Sequence, residues 1–300
     1  MKLASLLIAL AIALPANAKV KLVTSLPDLA WAAQEIGKDQ VEVKALLKGT
    51  EDPHYADAVP EFIRLVSNAD IVCQVGMDLE VGWLPKVLAR SGNSKVQAGG
   101  KGYCELGKGI DALEKPTGPV DRSMGDVHPA GNPHFWLSPK MLAKGASQIL
   151  EALVRVDPDH AATYKKNYDE LVKRMDQFVE KNKAKLAGFA ASSAVFEYHK
   201  EFAYFFDVYG LKSLGSIEEK PGVPPSAGRM AEVASQAKSG KAKAILATDY
   251  NPRRTVERVS ELAGIPAVIV PSSVQPNGAI KDYLQLQDHI VESLAKLGGK

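Results

Sequence analysis

Three histidines in settings suited to metal chemistry lie far apart in this chain. His54 stands in Asp52-Pro53-His54, His134 in Asn132-Pro133-His134-Phe135-Trp136-Leu137, and His199 closes Phe196-Glu197-Tyr198-His199. Imidazole nitrogen is a ligand for zinc, copper and nickel. The chain has only six histidines, and separations of 80 and 65 residues exclude a zinc finger or a helical His-x-x-x-His pair. A shared site must therefore be assembled by the fold from separate loops, as in a cleft between two lobes.

The elements that must position these rings alternate along the chain. Apolar runs at 20–25, 41–47, 71–75 and 95–98 predict strands, with helices starting near Pro27, Pro60, Leu79 and Pro139. A second series follows, with strands at 194–198, 214–217, 244–247 and 267–270 and helices near Lys200, Ser226, Pro252 and Ala279. Two runs of β-α repeats predict an α/β fold of two lobes, each a mostly parallel sheet flanked by helices. Between them, 158–185 has no Gly or Pro after Pro158, and Tyr164, Tyr168, Leu171, Met175, Phe178 and Leu186 recur at helical spacing. One long amphipathic helix is expected there, about 40 Å at 1.5 Å per residue. The division is 19–157 for the first lobe, 158–186 for the linking helix and 187–300 for the second lobe. His54 and His199 then follow strands, where open α/β sheets bind ligands, and His134 sits just before a helix.

The first eighteen residues read as a cleavable signal peptide. Lys2 is a short basic start, residues 3–15 are an apolar core, and Ala16-Asn17-Ala18 is a small-x-small cleavage site before Lys19. No cysteine stands at that site, so a periplasmic protein without a lipid anchor is expected. Removing the leader takes away one lysine and leaves 36 basic against 35 acidic side chains, a balance that points to neither nucleic acid nor a membrane surface. Cys73 and Cys104 are the only cysteines. In an exported protein they are compatible with a disulfide, and equally with one buried core thiol and an unrelated loop thiol.

The chain resembles the periplasmic metal-binding proteins of zinc and manganese ABC transporters, the ZnuA, TroA and AztC group. The resemblance runs through Thr24-Ser25-Leu26-Pro27, Asp52-Pro53-His54, Ala69-Asp70-Ile71-Val72 with Gly76 and Leu79-Glu80, Asn132-Pro133-His134-Phe135-Trp136-Leu137-Ser138-Pro139, and Tyr198-His199 with Phe202, Tyr204 and Phe205. It implies two lobes on one rigid helix, a metal buried between them, and delivery of that metal to a membrane permease by a monomeric receptor. By position, His54, His134 and His199 match the group's three nitrogen ligands.

The fourth ligand position departs from the group. Where many relatives carry an aspartate after the last strand, this chain reads Ile269-Val270-Pro271-Ser272-Ser273. Glu218 is the first replacement, with Glu219, Asp249 or water as alternatives, and the loop 218–225 is expected to order around metal. His128 is the one histidine of the insert before His134, where some relatives carry a histidine-rich loop, and is expected to be a mobile loop residue. His160 and His289 read as surface residues. Three imidazoles favour Zn2+ over Mn2+, whose sites carry more oxygen. The alternatives are a receptor of the same group for Mn2+ or another divalent metal, and a three-histidine zinc hydrolase, the latter without any catalytic motif in the sequence.

Overall fold

The computed structural model describes residues 18–298, apart from 122–123 and 240–241. The expected signal peptide, but for Ala18, lies outside the described residues. The first half carries β1 (Val20–Thr24), α1 (Pro27–Gly37), β2 (Val41–Ala45), α2 (Pro60–Ser67), β3 (Ile71–Gln74), α3 (Leu84–Ser91), β4 (Tyr103–Glu105), α4 (Pro139–Gly145) and α5 (Ser147–Val156). α6 (Ala161–Ser192) follows, and then β5 (Ala194–Glu197), α7 (Ala203–Tyr209), β6 (Lys212–Ser216), α8 (Ala227–Ser239), β7 (Ala242–Thr248), α9 (Arg253–Ala263), β8 (Ala267–Val270) and α10 (Tyr283–Ala295).

The strands form two parallel sheets, in the orders β2-β1-β3-β4 and β6-β5-β7-β8. Proline opens α1, α2, α3 and α4, where a missing N–H costs no hydrogen bond. Cys73 and Cys104 are register partners on β3 and β4 with Cα atoms 4.4 Å apart, and they are bridged. The pairing of β3 with β4, invisible in the spacing, decides between the two readings of those cysteines.

Two expected elements fall elsewhere. The strand expected over 95–98 is a 3-10 turn at Ser94–Val96, because the Asn93 side chain caps it by accepting the Lys95 N–H at 3.1 Å; β4 takes the edge of the sheet instead. The helix expected near Leu79 begins at Leu84, since Gly76, Met77 and Asp78 all take positive φ and turn the chain first.

α6 is 32 residues long, about 48 Å at 1.5 Å per residue, and overruns the segment expected of the linking helix. Its buried residues Tyr164, Leu171, Met175, Phe178, Val179, Leu186 and Phe189 form one stripe. One continuous core joins that stripe to α1, α4 and α5 on one side and to α7 and α10 on the other. The second sheet alternates: Val195, Ala244 and Leu246 face this shared core, while Phe196, Ile245 and Ala247 face a separate one beneath α8 and α9. The lobes are thus welded along one face and open only at their loop ends. Across the seam, Asp28 of α1 accepts from the Ser273 hydroxyl and from Val274 N–H at 3.3 Å, and Trp31 donates to Asp282 at 2.8 Å.

Candidate metal centre

His54 and His134 are set by the same three-residue device. In Asp52-Pro53-His54, one carboxylate oxygen of Asp52 accepts the backbone N–H of His54 at 2.9 Å and meets its ring Nδ1 at 2.8 Å. In Asn132-Pro133-His134, the Asn132 Oδ1 does the same, at 2.9 Å to each. The side-chain oxygen two residues upstream closes a turn, and proline between them fixes the backbone. Asn132 is held in that orientation because its Nδ2 donates to Glu114 at 2.9 Å and to the Lys200 carbonyl at 2.8 Å. Behind His134, Phe135, Trp136 and Leu137 are fully packed, and truncating such an aromatic costs about 3–5 kcal/mol. The backbone under His134 is therefore firmly anchored.

His199 is set differently. It lies just past β5, and the neighbouring strand β6 brings Glu218 alongside, with Glu218 N–H on the Tyr198 carbonyl at 3.1 Å. His199 Nδ1 meets Glu218 Oε2 at 2.8 Å, and the same oxygen accepts Gly222 N–H at 2.8 Å.

All three rings thus have Nδ1 occupied by an oxygen, which leaves Nε2 to face the cleft. Their centroids form a near-equilateral triangle with sides of 5.2, 5.4 and 5.3 Å. One ring nitrogen from each lies within 4.8 Å of the others, and all three residues are buried. His134 is 1% exposed, and its Nε2 is buried without a hydrogen-bond partner among the described residues. An orphaned buried nitrogen costs free energy unless something binds it, and a metal ion fits that need.

The electrostatics divide the rings. Burial, then the charges of His54, His199 and His128, hold His134 well below the ordinary histidine value. For His199 burial also pushes downward, but the hydrogen bond to Glu218 and the negative charges of Glu201, Glu218 and Asp52 outweigh it and raise it to about 9. Glu201, buried beside it, is pushed by burial to about 7 and accepts from Tyr250 at 2.5 Å and Thr248 at 3.1 Å.

The candidates for a fourth ligand each make other contacts. Glu218 stands behind His199 and not among the converging nitrogens. Glu219 is exposed and accepts from Ser226 at 3.0 Å. Asp249 accepts from Ser272 N–H at 3.2 Å and Gln275 at 2.6 Å, facing the loop after β8. His128, expected as a loop residue, is half-buried against the site, with Nε2 3.3 Å from His54 Nε2. Burial, then the charges of His54 and His199, push it down to about 3. The only signal in the sequence was its position six residues before His134, too long for a helical pair and silent about how a loop folds back. His160 bonds Asp157 at 2.8 Å at the start of α6, and His289 is exposed.

The family model described as zinc-uptake complex component A, periplasmic (ZnuA), matches residues 22–297, and the chain belongs to that family. It is 27% identical over 292 residues to the iron ABC transporter substrate-binding lipoprotein MtsA of Streptococcus pyogenes, covering 93% of this chain and 90% of the relative. It is 25% identical over 290 residues to the manganese ABC transporter substrate-binding lipoprotein PsaA of Streptococcus mitis, with coverage of 93% and 90%. A ZnuA crystal structure shares the fold with a TM-score of 0.78 at 22% identity, covering 93% of this chain and 99% of that one. The protein is therefore a metal-binding, extracytoplasmic component of an ABC transporter and not an enzyme, so the hydrolase alternative falls. Both streptococcal relatives are named lipoproteins, which runs against the expectation of an unanchored chain.

Proposed function

We propose that the protein captures one Zn2+ through Nε2 of His54, His134 and His199 and delivers it, as a monomer, to an ABC permease in the membrane. Asp52, Asn132 and Glu218 hold the three rings in the ligating orientation, and residues 19–157 and 187–300 act as lobes on the helix between them. The observation that carries the reading is the orphaned Nε2 of His134, buried at one corner of a triangle of rings whose Nδ1 atoms are all taken.

An imidazole-rich donor set supports zinc over manganese, which draws on more oxygen ligands. The relatives named for iron and manganese make that preference the point to test. The test is elemental analysis of untagged protein from its own host, followed by competition titrations with both ions. One zinc per chain and tighter binding of zinc than manganese are expected. Manganese in the native protein, or equal affinities, would reverse the choice of metal.

A further inference from the structure

We propose that His128 is the fourth nitrogen ligand of the metal, delivered by a segment that both lobes hold in place. The proposal rests on the assignment of His54, His134 and His199 above. It begins from the 3.3 Å between His54 Nε2 and His128 Nε2. Four nitrogens placed tetrahedrally at 2.0–2.1 Å from zinc stand about 3.3–3.4 Å from one another. The two rings already span one edge of that tetrahedron. They stack with centroids 5.3 Å apart at 30°, and His128 meets the His134 ring edge-on at 6.3 Å and 80°.

The hydrogen bonding asks for a cation in the gap. With Nδ1 of His54 on the Asp52 carboxylate, Nε2 is the nitrogen of that ring left to meet a cation. His128 is hydrogen-bonded to the Met77 backbone. Two such nitrogens at contact distance repel unless a proton or a metal ion lies between them. The metal replaces the proton.

The segment carrying His128 is tied to both lobes. Asp126 accepts from the Tyr55 hydroxyl at 2.5 Å, in the loop that holds His54. Its own N–H donates to the Pro221 carbonyl at 2.8 Å, in the loop that follows Glu218. A turn closed by Gly131 N–H on the His128 carbonyl at 3.0 Å leads on to Asn132 and His134. On the other side, Met77 and Asp78 hold φ of 55° and 65°, a conformation costly for residues other than glycine, in the turn that supplies the partner of His128. The competing donors are engaged elsewhere: Glu218 with His199 and Gly222, Asp249 with Ser272 and Gln275. Two residues past Pro271, Ser273 bonds Asp28 across the seam.

The test uses full-length protein with nitrogen-15 histidine, loaded with zinc, and correlates ring carbon-bound protons with ring nitrogens. Four of the six rings should show a metal-bound Nε2, and His128→Gln should leave three, with zinc affinity about tenfold weaker or more and manganese affinity changed less. Three coordinated rings in the wild type, unchanged in His128→Gln, would overturn the fourth ligand and leave the three-histidine site standing. Full zinc affinity in His134→Ala would overturn both. Melting of the metal-free His128→Gln protein at the wild-type temperature keeps a folding defect from mimicking the expected result.

Discussion

In Asp52-Pro53-His54 and Asn132-Pro133-His134 the oxygen that orients each ring stands two residues before it, within a single turn of chain. At His199 the orienting oxygen belongs to Glu218, 19 residues on, and reaches the ring only because β6 pairs with β5. The first arrangement survives as long as its turn does. The second depends on a sheet edge and on the loop 218–225, which Glu218 itself pins through Gly222. The three rings proposed to bind the metal are thus held by two local brackets and one long-range contact, and at the long-range corner burial and acidic neighbours pull the ring's charge in opposite directions.

The largest effect should come from removing a ring that a bracket holds. His134→Ala is expected to weaken zinc binding by well over about 100-fold, more than loss of an outer partner, which costs about 10–100-fold. Calorimetric titration measures it, and retention of wild-type affinity would dissolve the bracket side of the comparison.

The outer oxygens come next. Asp52→Ala and Glu218→Ala are each expected to cost about 10–100-fold in zinc affinity. They should differ in hydrogen exchange of the metal-free protein: Glu218→Ala exposes the amides of 218–225, while Asp52→Ala leaves distant segments unchanged. Equal and diffuse exchange in both would erase the distinction between local and long-range support.

Proton release separates the corners at smaller cost. His199, raised to about 9, carries a proton at pH 7.5 in the metal-free protein, whereas His134 is already neutral. Zinc must displace the first proton and not the second, so apparent affinity should rise with pH by about one decade per unit up to about 9 and level off above it. This moves the window upward from the ordinary histidine value near 6.5. Titration in buffers of different ionisation enthalpy should show about one proton released at pH 7.5, and less in Glu218→Gln.

The smallest expected effect on metal lies at the seam. Ser273→Ala should lower stability by about 1–2 kcal/mol through the lost hydrogen bond, with zinc affinity within about threefold of wild type. Burial pushes Asp28 to about 7, against hydrogen bonds from Ser273 and Val274 that pull it down. A carboxyl raised in the folded state contributes stability that is full below its unfolded value and lost as pH rises through about 7. Asp28→Asn should flatten the decline in stability between about pH 4 and 7, as denaturant titration would show.

The two brackets explain what could be read from the chain. Asx-Pro-His carries its geometry within three residues, so His54 and His134 stand out from their neighbours alone, and β-α alternation with one unbroken amphipathic run outlines the lobes and α6. Glu218 was legible as a cleft residue because it follows a strand. Its engagement with His199 was not, since β6 pairing with β5 is a property of the sheet. His128 was illegible for a related reason: its loop is placed by Tyr55 and Pro221, each reached only after both lobes exist. The turn at Ser94–Val96 was hidden because a single capping side chain outweighed a weak apolar run.

The core shared through α6 bears on how long an ion stays. Since both lobes pack on one stripe of that helix, the spacing of the rings is held as by a fixed gauge, and at the proposed site an ion would leave only as fast as a surface segment lifts away. Residence time is then governed by brief local openings above the cleft. A permease that grips an opened segment would both speed departure and, by holding the open form, lower the protein's affinity for the ion.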